Sequence, residues 1–145
     1  MADNITSRME DYLEAIYLLT DKKKTARVRD IAKHLNVSRS TVSNSLHTLS
    51  DKGYIEYSPY DTIELTGQGL SIAKDVYRKH SILKRFFLKI LGADERMAEE
   101  NACKIEHAIT EELLDRFVSY IEFAEECMPV KFKYNPDKGH MCLDE

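Results

Sequence analysis

The stretch VRDIAKHLNVSRSTVSNSLHTLSDKG, residues 28–53, followed directly by YIEYSPYDTIEL, residues 54–65, decides how the N-terminal half of this chain folds. Val28, Ile31, Ala32 and Leu35 recur at helical spacing and predict a short helix, which Asn36 and Val37 end. Ser38 is placed to cap a second helix over 39–51. On that helix Val42, Leu46 and Leu49 share one face, and Arg39, Ser40, Ser43, Asn44 and His47 occupy the others. Gly53 supplies its stop. Residues 54–57 and 62–65 are rich in β-branched and aromatic types, and Ser58-Pro59-Tyr60-Asp61 between them carries turn chemistry, so a short hairpin follows the helix.

Helix, tight turn, helix and hairpin is the order of a winged helix-turn-helix, whose second helix enters the DNA major groove with its N-terminal residues near base edges. Arg, Ser, Thr and Asn read bases through hydrogen bonds. Ser38, Arg39, Ser40, Thr41, Ser43 and Asn44 crowd those types into the start of the helix, with Arg39, Ser40, Ser43 and Asn44 the leading candidates for contact. Lys22, Lys23, Lys24, Arg27 and the wing tip around Tyr60 would meet phosphates, fixing register without reading sequence. A polar surface helix could share this composition; the basic stretch before it and the hairpin after it favour DNA.

Working outward, Ser7-Arg8-Met9-Glu10 reads as a capping box, and Met9, Leu13, Ile16, Tyr17 and Leu19 predict a first helix to about Thr20. Thr66 is placed to cap a long helix through Leu91, about 26 residues or roughly 39 Å, ending at Gly92. Two more helices are expected over 94–108 and 110–127, the latter burying Leu113, Leu114, Phe117, Val118 and Ile121. Beyond Met128-Pro129 the periodicity stops, which predicts an irregular tail over 128–145.

With 145 residues and 43% hydrophobic content the chain can bury one ordinary core or two small ones. No stretch approaches the ~20 apolar residues of a membrane span, and the N-terminus lacks the features of a secretory signal, so a cytoplasmic location is expected. Three cysteines, at 103, 127 and 142, argue against a disulfide framework. The net charge of −4 conceals a segregation. Residues 22–52 hold eight Lys or Arg against two acids, and 92–127 hold eleven acids against three Lys or Arg. The first segment suits phosphates and the second suits a cation.

That cation has candidate ligands. Asp11 and Glu14 lie three apart on the first helix; Cys103, Glu106 and His107 lie at i, i+3 and i+4 on a later one; His80 sits midway along the long helix. Together they offer oxygen, nitrogen and sulfur donors for one octahedral site or two neighbouring ones. Taken singly, each has a plainer reading: a solvated carboxylate, a small core thiol, a surface histidine. Three ligand types at helical spacing are harder to set aside.

At this point the chain resembles the diphtheria toxin repressor and manganese transport regulator family of metal-dependent repressors. The likeness runs from about Ser7 to Phe123 through MEDYLEAIY (9–17), VRDIA (28–32), LTGQG (65–69), RKH (78–80) and IEH (105–107). It implies a mainly α chain, with a winged helix-turn-helix domain over 1–72 and a helical metal-binding and dimerisation domain over 73–127. A two-domain form, without the SH3-like third domain that some members carry, is expected. The resemblance further implies Asp11, Glu14, His80, Glu106 and His107 as ligands, as in the manganese-responsive branch. Cys103 departs from that branch and stands where iron-responsive repressors have a cysteine; Asp11 stands where those have a methionine. Lys84 stands where the iron branch carries an acidic ancillary ligand; Glu99, one turn before Cys103, is a candidate substitute, with a solvated glutamate the better-supported reading.

The expected function is therefore a metal-activated repressor of metal-uptake genes. It would bind double-stranded operator DNA as a homodimer, with Fe2+ or Mn2+ as activator, Zn2+, Co2+ or Ni2+ within reach of the same donors, and no organic cofactor. Two other readings compete: a winged-helix regulator that senses a small organic ligand, and a helical metalloenzyme using Glu106 or Glu14 as a general base. The enzyme fits less well, because it would not need the third of the chain spent on helix-turn-helix and wing.

Overall fold

The computed structural model describes residues 5–23, 25–58, 62–128 and 131–143. Lys24 and the expected wing tip at Pro59, Tyr60 and Asp61 lie outside them. The fold is mainly α, in the order α1 (Ser7–Lys23), α2 (Val28–Leu35), α3 (Arg39–Asp51), β1 (Ile55–Tyr57), β2 (Ile63–Leu65), α4 (Gly67–Lys89), α5 (Glu95–Ile105), α6 (Glu111–Cys127), β3 (Phe132–Asn135) and β4 (Gly139–Cys142). It divides into two compact units, Met1–Tyr77 and Arg78–Glu145. The division falls inside α4, later than the 72/73 boundary drawn from sequence.

In the N-terminal unit, Tyr12, Leu13, Ile16, Ile31, Val42, Leu46, Leu49, Ile55 and Ile63 form the core. The cap of α1 is Thr6 and not Ser7, since Thr6 Oγ1 accepts from Met9 N at 3.2 Å. Asn36 closes α2 in the left-handed conformation at φ 55°, which asparagine tolerates better than most residues. Ser38 Oγ accepts from Thr41 N at 3.1 Å and starts α3. Gly53, at φ 79°, lets Tyr54 N return to Leu49 O at 3.0 Å and ends it. β1 and β2 then pair antiparallel with Ile55 opposite Leu65 and Tyr57 opposite Ile63, and Ala26 adds an isolated bridge to Ile63.

Thr66 ties this hairpin to α4. Its hydroxyl donates to Gly53 O at 2.7 Å and accepts from Gly69 N at 3.2 Å, and its own amide donates to Tyr54 O at 3.1 Å. Gly69 is needed because a Cβ there would stand 2.0 Å from Tyr54 O.

In the C-terminal unit, Leu83, Ala102, Ile109 and Leu114 form the core, with Ile82, Phe87 and Phe117 packed against it. Phe86 meets Phe117 edge-on at 4.5 Å between centroids. Asp94 caps α5 and Thr110 caps α6, each through its side chain. Two expectations are corrected here. Leu113 is not on the buried side of α6; it is 49% exposed, and Ala124 takes a buried position one turn beyond Ile121.

The tail is also not irregular. β3 and β4 pair antiparallel, with Phe132 opposite Cys142 and Asn135 opposite Gly139. Asn135 Oδ1 accepts from the amides of Asp137 and Lys138 at 2.9 and 3.0 Å, and Gly139 takes φ 77°. This is turn chemistry that the segment NPDKG carries in its residue types. The hairpin rests on the end of α4, where His140 Nε2 lies 3.0 Å from Leu91 O and Tyr134 Cβ comes within 3.0 Å of where a Cβ on Gly92 would be.

Gly69→Ala should destabilise the N-terminal unit by more than about 2 kcal/mol, since the atom met is backbone and cannot swing aside. Urea unfolding followed by circular dichroism checks this; a midpoint within error of the parent would show that the α4 start can shift at little cost.

Candidate metal centre and nucleic-acid surface

In the C-terminal unit, α4 brings His80 against the C-terminal end of α5. His80 Nδ1 lies 2.7 Å from Glu106 Oε2 and 3.7 Å from Cys103 Sγ. One donor atom from each of these three residues lies within 4.8 Å of the others. Glu106 is only 2% exposed and His80 only 7%, whereas Cys103 faces solvent. His107 follows, its Nε2 3.4 Å from the other Glu106 oxygen. The helix expected over 94–108 ends at Ile105, so Cys103 stands on its last turn while Glu106 and His107 stand in the turn that follows; the Glu106 amide still donates to Ala102 O at 3.0 Å.

A buried carboxylate must be answered by positive charge or hydrogen bonds. Here His80 answers it. The Cys103 sulfur first, and the Glu106 carboxylate next, push the His80 pKa up to about 11 against the opposing effect of burial. Thiol, carboxylate and imidazole converging on one point are a donor set for a divalent transition metal, with sulfur and nitrogen favouring the softer ions and the carboxylate retaining the harder ones. The residues therefore fit such an ion. Asp11 and Glu14, the other two expected ligands, stand partly buried on α1 in the N-terminal unit.

The second ring nitrogen of His80 faces a cluster that sequence reading resolved only in part. Nε2 lies 3.1 Å from Glu99 Oε2, and Lys84 Nζ lies 3.0 Å from that same oxygen. Desolvation pulls the Glu99 carboxyl upward, but Lys84 and then His80 hold it below the usual range. Glu95, also paired with Lys84, was absent from the expected set. Its one signal is the four-residue spacing to Glu99, a common pattern on solvated helices.

The candidate DNA-reading residues lie in the N-terminal unit. Arg39, Ser40 and Asn44 are exposed and Ser43 is partly so. Ser38 and Thr41 are engaged with one another, their hydroxyl oxygens 2.7 Å apart at the α3 cap. A hollow of about 420 Å³ is lined by Arg27, Val28, Arg29, Arg39, Ser43, Tyr57 and Ile63. Arg29 and Tyr57 join the candidates there. Three guanidinium-bearing residues around one hollow, with no acid among the described residues of its lining, suit a phosphate-bearing partner. Among the described residues no helix is long and apolar enough to cross a membrane.

Comparison with known proteins agrees with this layout. Residues 4–63 match the family model of the iron dependent repressor, N-terminal DNA binding domain, and residues 66–131 that of the iron dependent repressor, metal binding and dimerisation domain. An uncharacterized HTH-type transcriptional regulator of Methanocaldococcus jannaschii, MJ0568, is 40% identical over 119 residues, covering 81% of this chain and 95% of its own. The crystal structure of T. acidophilum IdeR is similar at TM-score 0.72 and 29% identity, over 83% of this chain and 55% of that one. A manganese-dependent transcriptional repressor in complex with manganese is similar at TM-score 0.72 and 26% identity, over 79% of this chain and 53% of that one. The chain spans about half the length of these two solved relatives. With both family models matched, and together spanning most of its length, the chain belongs to the iron-dependent repressor family.

Proposed function

We propose that this protein is a metal-activated transcriptional repressor that binds operator DNA as a homodimer, with Fe2+ or Mn2+ as its activator. The observation that carries the reading is the convergence of His80, Cys103 and Glu106 in a family whose second domain binds metal. A bound divalent ion supplies fixed positive charge that several carboxylates, a thiolate and imidazoles can share. His80, Cys103, Glu106 and His107 would hold it from the C-terminal unit. Asp11 and Glu14 would hold it from α1; this part rests on their spacing in the sequence and on the family resemblance.

If α1 supplies Asp11 and Glu14 as this reading has it, metal occupancy would couple the order of one unit to the other. In a homodimer this would hold the two copies of α3 at a separation matching half-sites about 34 Å apart, so that ordering is completed before DNA arrives. Arg39, Ser40, Ser43 and Asn44 would then meet bases, Ser38 and Thr41 would set the α3 start against the backbone, and Lys24, Arg27 and Arg29 would meet phosphates. The homodimer draws support from α6, which leaves Leu113, Tyr120 and Phe123 exposed in the single chain. The controlled genes, in this reading, are those for metal uptake.

Operator affinity should rise about 10- to 100-fold when Mn2+ or Fe2+ replaces chelator under anaerobic conditions, and fall steeply with salt. Arg39→Ala or Asn44→Ala should weaken operator binding by about 1–3 kcal/mol and leave metal affinity unchanged. Fluorescence anisotropy with operator and scrambled duplexes checks both. Equal affinity with chelator and with metal would overturn the repressor reading, and equal losses on both duplexes would remove these two residues from base reading.

Metal uptake should also release protons. His80 has a pKa raised above its ordinary 6.5 to about 11, so at pH 8 the metal-free protein holds it as imidazolium. Ligation at Nδ1 must expel that proton. Apparent Mn2+ affinity should therefore rise about tenfold per pH unit or more between pH 6.5 and 8.5. Calorimetry in buffers of different ionisation enthalpy should count at least one proton released per protomer, and one fewer in His80→Gln. Release unchanged by that substitution would place His80 outside the ligand set.

A further inference from the structure

The tail hairpin lies past residue 131, where the match to the second family domain stops. In its antiparallel register Phe132 stands opposite Cys142 and Tyr134 opposite His140, so these four side chains share one face. That face meets the end of α4, where His140 Nε2 lies 3.0 Å from Leu91 O. Between the hairpin, the end of α4 and the end of α6 is a hollow of about 380 Å³ whose lining includes Ile90, Leu91, Ala124, Met128, His140 and Cys142.

Leu91 O can only accept, so His140 Nε2 carries the hydrogen of that bond and the neutral ring keeps its lone pair on Nδ1. Histidines that ligate metals are held in this way, one nitrogen donating to a backbone carbonyl and the other left to coordinate. The rings of Phe132 and Tyr134, with centroids 6.0 and 5.2 Å from that of His140, pack about the imidazole. Cys142, two residues further along the same face, brings an exposed thiol to the hollow, and Met128, just past α6, brings a thioether. Imidazole, thiolate and thioether together are a soft donor set, the kind that selects Cu(I). Charge points the same way. A divalent ion with one thiolate would keep a net positive charge against Ile90, Leu91 and Ala124, with no carboxylate among the described lining residues to answer it. Cu(I) with one thiolate is neutral.

We propose that His140, Cys142 and Met128 form a site for Cu(I), separate from the centre at Cys103. On binding, the Cys142 S–H bond breaks, its proton passes to solvent and the sulfur gives its electron pair to the ion, with no change in the oxidation state of copper. An ion held by β4 and by the end of α6 ties the hairpin to the helix, so the amides of β3 and β4 exchange hydrogen more slowly. The proposal does not depend on Cys103 being a ligand.

The test is anaerobic Cu(I) titration of the full chain against bicinchoninate, a coloured Cu(I) chelator, in the parent and in Cys103→Ser, where copper held through Cys103 is removed. Cys103→Ser should take one Cu(I) per protomer, with slowed hydrogen exchange in β3 and β4. Adding Cys142→Ser should abolish binding, and adding Cys127→Ser should leave it unchanged. Adding His140→Gln or Met128→Leu should weaken it by at least the roughly 10- to 100-fold that loss of a supporting partner costs. Cys142 and Met128 are exposed, so their replacement leaves the core intact, and circular dichroism confirms that each variant is folded. No copper in Cys103→Ser would overturn the proposal, as would binding that survives Cys142→Ser or disappears with Cys127→Ser. An affinity unmoved by both His140→Gln and Met128→Leu would overturn it as well, because a bare surface thiol would then be holding the ion.

Discussion

Glu106 carries a carboxylate into the interior at 2% exposure, where leaving a charge unanswered costs about 3–5 kcal/mol. His80 lies against it at 2.7 Å, and that pair sets what the rest of the C-terminal unit has to do. α4 must run far enough to deliver His80, α5 must end where Glu106 turns inward, and Leu83, Ala102, Ile109 and Leu114 must pack closely enough to hold both helices in register. A proton on His80 satisfies the pair without metal. In the proposed metal site a divalent ion would share the same donors, and proton and metal would then compete for His80.

The reading elements obey a different constraint. Ser38 and Gly53 fix the two ends of α3, and Thr66 with Gly69 ties the following hairpin to the start of α4. These bonds leave Arg39, Ser40 and Asn44 exposed on a helix whose position within the unit is determined by buried Val42, Leu46 and Leu49. The charge segregation follows the same division of labour: the basic excess falls in the segment that carries α2 and α3, and the acidic excess falls on α5 and α6.

The helix-turn-helix was legible because strong, independent signals agree on it. An apolar stripe, a serine cap, a left-handed asparagine and a terminal glycine all mark the same boundaries. Cys103, Glu106 and His107 were legible as candidate ligands from their i, i+3 and i+4 spacing, although α5 ends at Ile105 and the last two lie in the turn beyond it. Weaker signals misled. Thr6 and Ser7 are adjacent hydroxyls, and only the formed helix shows which one accepts from N3. β3 and β4 are four residues each, half of them exposed and none fully buried, so their sequence carries no strong apolar alternation; the turn residues of NPDKG were their sole mark. Leu113 reads as core on a helical wheel, but which apolar residues a wheel buries depends on the neighbour it meets. The Glu95, Lys84 and Glu99 cluster joins two helices, and no spacing within either one reveals that junction.

The central claim is that Cys103, His80 and Glu106 act together as a metal centre, and Cys103 gives it a direct optical test. Anaerobic protein titrated with Co2+ should develop an ultraviolet thiolate-to-metal charge-transfer band together with visible bands whose intensity reports the coordination number. The charge-transfer band should vanish in Cys103→Ser and persist in Cys127→Ser and Cys142→Ser, the two other exposed thiols. A band that survives Cys103→Ser, or no band in the parent at saturating Co2+, would contradict the account.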